Sequence, residues 1–137
     1  MAIVKVPTPL AGLTSATSFV ATSQSTTSAS FVDLATTQSV TLTTGTKVLV
    51  LIGAEISSDS AQRGAIMSFA ISGATTLSAA ADWGAGFQGG DKFFISRHST
   101  HTVTAGSNVF TAKFAIRAEP NTANFGNRYI TVIDLGS

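Results

Sequence analysis

The run from Lys47 to Ser57 constrains this chain more than any other stretch. It is the longest near-continuous apolar segment, set in a Ser- and Thr-rich sequence with little charge. In an extended strand, Val48, Val50, Ile52, Ala54 and Ile56 share one face, and Leu49, Leu51, Gly53 and Glu55 share the other. A surface strand alternates apolar with polar residues. Here the first half is apolar on both faces, which predicts a strand covered on both sides by the domain's own core and by a second subunit or a loop. Val and Ile crowd the preceding turn of a helix and Gly53 weakens one, so the strand is preferred over a buried helix. The run is too short and too interrupted to span a membrane.

Strand signals recur on either side of it. Ser18–Ser23, Ser30–Leu34 and Gln38–Thr44 precede it, the last with Val40 and Leu42 on one face. Gly45 and Thr46 make a tight turn, so Gln38–Thr44 and the central strand are expected to pair as a hairpin. Gly64–Ser72 follows with Met67, Phe69 and Ile71 inward, then Thr75–Ala79. Residues 80–90 read as a long loop holding the single tryptophan and four glycines. Asp91–His98 and Val109–Arg117 are strands, the second placing Phe110, Ala112, Phe114 and Ile116 inward. A second long loop covers 118–126, and Asn127–Leu135 is the last strand. Eight or nine short strands with evenly spaced turns and no convincing helix predict an all-β, antiparallel β-sandwich. A jelly-roll-like topology is expected first and an immunoglobulin-like one second.

Residues 1–17 stand apart as an extended N-terminal arm, with the sandwich domain over 18–137. Pro7 and Pro9 favour an extended path, and Ile3, Val4, Val6, Leu10 and Leu13 are apolar anchors for docking. The first ten residues lack a basic stretch followed by a long apolar run, so no cleaved secretory signal is expected.

Composition narrows the function. Of 137 residues, 44% are hydrophobic but only 11% charged, against about 25% charged in ordinary soluble proteins. Such sparse charge fits a hydroxyl-coated surface or one covered in an oligomer, and the two-faced strand favours the oligomer, with Leu49 and Leu51 at the subunit interface. A net charge of +1 gives no broad footprint for nucleic acid or an anionic membrane. Without cysteine there is no disulfide, thiolate metal site or Cys nucleophile.

No catalytic, cofactor or metal site is expected. His98 and His101 are three apart on a strand, so they point to opposite faces, and no Cys or acidic cluster completes a metal set. There is no Gly-x-Ser-x-Gly elbow, no P-loop and no dinucleotide fingerprint. Asp33, Glu55, Asp59, Asp82, Asp91, Glu119 and Asp134 are scattered, with no obvious pair for acid–base work. Glu55, late in the central strand, either emerges at the strand end or meets a cation such as Arg128, Arg117 or Lys113. Trp83, Phe87 and Phe125 fall in the two long loops. They form either a stacking surface for sugar rings or anchors on the core.

Residues 21–34, 48–57, 67–76, 106–114 and 127–133 together resemble a β-sandwich module of tailed-phage virion proteins. The resemblance implies a jelly roll that is often trimeric and lies either at a fibre or tail tip or on the capsid as a decoration (cement) protein. It brings no catalytic residues. The chain carries no collagen-like or coiled-coil shaft, only the short arm, so the decoration form is expected. That implies a non-enzymatic homotrimer on the outer capsid surface of the virion, with the major capsid protein as partner and the arm as the attachment. The alternative is a knob that binds a cell-surface glycan through Trp83 and Phe87.

Overall fold

The computed structural model describes residues 13–136. Among the described residues, nine strands make two antiparallel sheets packed face to face as a jelly-roll-like sandwich. They are β1 (Ser15–Val20), β2 (Gln24–Thr26), β3 (Ser39–Thr44), β4 (Lys47–Ser58), β5 (Gly64–Gly73), β6 (Ala85–Gln88), β7 (Phe93–Thr102), β8 (Gly106–Ile116) and β9 (Ala123–Gly136). One sheet has the order β1-β9-β4-β7, with β2 also paired to β9; the other is β3-β8-β5-β6. From β3 onward most connections pass from one sheet to the other, so each sheet is knitted from distant parts of the sequence. Among the described residues, no helix is long and apolar enough to cross a membrane.

The central run behaves as its pattern demands. β4 lies between β9 and β7, paired to both along most of its length. Val48, Val50, Ile52, Ala54 and Ile56 are all buried on its inner face. They meet Met67, Phe69 and Ile71 of β5 and Phe110, Ala112, Phe114 and Ile116 of β8, all buried as their alternation predicts. Each large side chain so buried contributes roughly 1.5–3 kcal/mol, and the period-2 pattern puts every one on the same side.

The expected hairpin between 38–44 and the central strand does not form. β3 pairs with β8 in the opposite sheet, and the turn at Gly45 and Thr46 is a corner between sheets. The reason is occupancy: β9 and β7 take both edges of β4, leaving none for β3. A short turn signals a change of direction, but hairpin and corner use the same residues.

Several other boundaries differ from the sequence reading. Ser15, Ala16 and Thr17, read as the end of the arm, are already in β1 and pair with Ile133, Val132 and Thr131. Ile3, Val4, Val6 and Leu10 lie outside the described residues, and Leu13 is exposed. Ser30–Leu34 supplies only a bridge at Val32, and Thr75–Ala79 only one at Leu77. The loop over 80–90 contains a single 3-10 turn, Ala81–Trp83, and the short strand β6.

One buried cation ties the N-terminal segments to the sandwich. Arg128 of β9 is fully buried. Its Nη1 donates to Thr22 O at 3.0 Å and Phe125 O at 3.4 Å. Its Nη2 donates to Gln24 Oε1 at 2.6 Å and Thr36 O at 3.1 Å, and the guanidinium lies 5.5 Å from the Phe114 ring centre. Burial lowers its pKa from the usual arginine value. Four neutral acceptors and a ring face replace the carboxylate that a buried cation ordinarily finds.

Candidate assembly surface

The outward face of the five-stranded sheet mixes apolar side chains with Ser and Thr and carries little charge. Strand register brings its residues together: Leu49 of β4 lies between Ile133 of β9 and Thr100 of β7, and Leu51 between Thr131 and His98. β1 extends the rows, with Ser15 beside Ile133, Thr17 beside Thr131 and Phe19 beside Tyr129. Leu49, Leu51, Ile133 and Tyr129 are half-buried, whereas Phe19 is 60% and Phe94 54% exposed. No charged side chain enters the rows that Leu49 and Leu51 share with β9 and β1. The polar members Thr17 and Thr131 turn to each other, with their hydroxyls 2.9 Å apart.

Tyr129 lies flat across this face because Gly53 leaves room for it. A Cβ at Gly53 would come within 2.6 Å of the Tyr129 ring. Over that gap the ring reaches Phe94, stacking at 6.2 Å between centres with 12° between planes. Phe19, Tyr129 and Phe94 thus form an aromatic band across three strands.

The apolar character ends at Glu55. Its Oε1 accepts a hydrogen bond of 2.8 Å from Asn127 Nδ2, and its Oε2 is 3.8 Å from Lys92 Nζ. The cation is therefore Lys92, not Arg128, Arg117 or Lys113. Arg128 points into the sandwich, and Lys113 pairs instead with Asp33 at 2.9 Å. The Lys92 side chain is 68% exposed, so this pair adds little stability.

The loop aromatics are anchors. Trp83 Nε1 donates to Phe69 O at 3.1 Å, and its ring packs on the core. Phe87 sits in β6 and meets Phe93 edge-on at 5.9 Å. Phe125 is fully buried in β9 against Phe114. Phe19 and Phe94 are more exposed than any of the three, and sequence reasoning did not single them out. A strand signal alone does not show whether its neighbours cover it.

His98 and His101 do point to opposite faces of β7. His98 is exposed beside Leu51, while His101 turns inward beside Val48. The His101 ring packs edge-on against Phe69 at 5.1 Å and Trp83 at 5.5 Å, and its Nε2 lies 2.8 Å from Ser99 Oγ. Burial lowers its pKa, which keeps the imidazole neutral. A Ser–His contact suggests a nucleophile and base, but a working pair needs a third group to orient the base and an open approach to the hydroxyl. Here two aromatic edges hold the ring. Among the described residues, no group of three or more His, Cys, Asp or Glu could hold a metal ion.

No protein-family model matches the chain, and no curated protein sequence matches it. Solved structures do. The chain is similar to the structure of Eiger TNF from S. frugiperda, with a TM-score of 0.58 at 9% identity, covering 91% of this chain and 94% of that one. It also matches a CBM36 carbohydrate-binding module in complex with calcium and xylotriose, with a TM-score of 0.41 at 16% identity over 85% of this chain and 97% of that one. A CBM22-1 xylan-binding domain from Paenibacillus barcinonensis Xyn10C gives a TM-score of 0.42 at 12% identity over 91% and 88%. The first likeness shows a shared jelly-roll sandwich and nothing more; the other two are too remote to argue from.

Proposed function

We propose that this chain is a non-enzymatic structural protein of a phage virion, a homotrimeric decoration protein that binds the major capsid protein on the outer surface of the head. The observation that carries the assembly half of this reading is the charge-free apolar face around Leu49, Leu51, Ile133 and Tyr129. A monomer gains nothing by exposing Phe19 beside it, whereas a subunit contact buries it. The capsid half rests on the resemblance to virion modules and on the apolar anchors Ile3, Val4, Val6 and Leu10 that precede β1. An extended arm can hold a surface without deep pockets by adding backbone hydrogen bonds at a strand edge, and three linked arms multiply the effect.

Two measurements test it. Light scattering at micromolar concentration should give about three times the 14.0 kDa chain mass. The double variant Leu49→Lys, Leu51→Lys should give a folded monomer, because both side chains sit on the outer face. A chain beginning at Leu13 should keep its fold and trimeric mass yet lose most of its attachment to particles. A wild-type monomer in solution with no trimer on the particle refutes the assembly half. Undiminished decoration by the chain lacking residues 1–12 moves the attachment onto the sandwich.

A further inference from the structure

Where the central strand turns polar, four segments meet on the outer face of the five-stranded sheet. β4 supplies Glu55 and Ser57, and β9 supplies Asn124 and Asn127. The β1–β2 connection supplies Ser23, and Lys92 stands just before β7. Together they line a pocket of about 180 Å³.

The pocket is built on a β-bulge. Gly53 lies opposite Tyr129 and Glu55 opposite Gly126, so two steps along β4 match three along β9. Such an extra residue re-aims the side chains around it. Asn127 sits in the bulge with φ 44°, and among the described residues it is the one non-glycine residue in the left-handed region. Asparagine tolerates that region better than most side chains, and glycine takes it without strain. The backbone alone therefore does not call for an amide here. Asn127 N donates to Ala21 O at 3.1 Å, which pins the bulge, and its Nδ2 donates to Glu55 Oε1 at 2.8 Å. The side chain thus lies on the outer face beside the carboxylate, with its Oδ1 as a further acceptor.

Two aromatic rings adjoin the pocket. Phe94 lies directly opposite Glu55 on β7 and is 54% exposed. Its ring is nearly parallel to that of Tyr129, which rests over Gly53, two residues before Glu55. Phe94 is four residues from His98, the neighbour of Leu51, or roughly 13 Å along β7. A subunit contact centred on Leu49 and Leu51 need not reach it. Polar groups that could orient a ligand therefore stand beside rings that could carry its apolar side.

The chemistry of the pocket selects among ligands. Glu55 Oε2 is 3.8 Å from Lys92 Nζ, so acceptor and donor stand together with their charges balanced. A bare anion would meet the carboxylate, and a bare cation the ammonium. A wholly apolar ligand would strip water from both without replacing its hydrogen bonds. A sugar ring suits all of these groups. Its C–H face packs on the aromatic rings, while its hydroxyls donate to Glu55 and accept from Lys92. The pocket is smaller than the roughly 300–1,000 Å³ that encloses a drug-sized ligand, so it takes one edge of a sugar whose remainder lies over the rings. We propose that this site binds a neutral glycan through Phe94, Tyr129, Glu55 and Asn127. It is distinct from Trp83 and Phe87, and it stands whether or not the chain is a trimer.

The test uses the full-length protein, with its mass measured by light scattering on the same sample, so failed assembly and failed binding are read separately. Amide ¹H–¹⁵N spectra are recorded while mannotriose, maltotriose, xylotriose and chitotriose are added separately. Choline chloride, a cation that aromatic rings and a carboxylate could also hold, is added in another series. Saturable shifts centred on residues 53–57, 92–94 and 124–129 are expected with at least one sugar. Phe94→Ala should weaken that binding at least about threefold. Asn127→Gly keeps the left-handed backbone and removes only the amide, so it should weaken binding about fivefold with a melting temperature no lower than wild type. It gives the reading if the Phe94 variant fails to fold. The proposal is overturned if none of the four sugars gives saturable shifts there, if either folded variant binds as tightly as the wild type, or if choline produces the shifts and the sugars do not.

Discussion

Replacing Arg128 with methionine tests whether the buried guanidinium organises the N-terminal segments or merely fills space. Three of its hydrogen bonds are well formed, at 2.6, 3.0 and 3.1 Å. Bonds to a charged group contribute about 1.5–3 kcal/mol each, so their gross value is roughly 4.5–9 kcal/mol. Against this stands the desolvation of the guanidinium, several kcal/mol for a buried ion. Gln24 Oε1 also accepts from Thr36 N at 2.9 Å, so it stays satisfied in the variant. Thr22 O and Thr36 O are only part-buried and recover some hydration. The net loss for Arg128→Met should then be about 2–4 kcal/mol, with Arg128→Lys between it and wild type because an ammonium cannot fork to four acceptors. Urea unfolding followed by fluorescence of the single tryptophan measures it, at one fixed protein concentration for both proteins. Hydrogen exchange should rise first across residues 22–36. An Arg128→Met protein within about 0.5 kcal/mol of wild type would show that the desolvation cost cancels the bonds and that the residue is a spacer.

His101 and Gly53 give two further expectations. Burial holds the folded-state pKa of His101 below the ordinary value of 6.5, so the unfolded chain binds the extra proton first. The His101 contribution to stability should be fully present above pH 6.5 and decline as pH falls from there through the lowered folded value; His101→Gln should flatten that slope, and equal slopes in the two proteins would refute the assignment. Gly53→Ala should lift Tyr129 off the sheet, since the added Cβ would fall 2.6 Å from its ring, at a cost of about 1 kcal/mol. Tyr129 is the single tyrosine, so its near-ultraviolet circular dichroism reads the loss of the Phe94 stack directly, and an unchanged signal would mean the ring never depended on that gap.

What the sequence disclosed depended on whether the information was local. Alternation at Val109–Ile116 and Met67–Ile71 reports which face is buried, and the structure buries those faces. Partnership is not local. β2 is wholly polar, Gln24, Ser25 and Thr26, and is a strand only because β9 offers it an edge. β6 lies among glycines, with no apolar alternation to betray it, and pairs with β5. The partner of Glu55 is not legible in the sequence, because no pattern shows that Phe94 lies opposite it and brings Lys92 within reach.

One long-range feature was nevertheless written locally, in the two halves of β4. Its inner face is apolar throughout, from Val48 to Ile56. Its outer face changes along the strand, from Leu49 and Leu51 to Gly53 and then Glu55. An inner-face pattern alone would be met by any sandwich. The outer change carries positional information, because antiparallel pairing copies it onto the neighbours: Ile133 accompanies Leu49, Tyr129 covers Gly53, and Lys92 and Asn127 gather at Glu55. The apolar surface therefore has a boundary set by one strand, and that boundary runs through the Tyr129 ring. A partner that covers Leu49 and Leu51 can stop there, leaving the Glu55 end solvated.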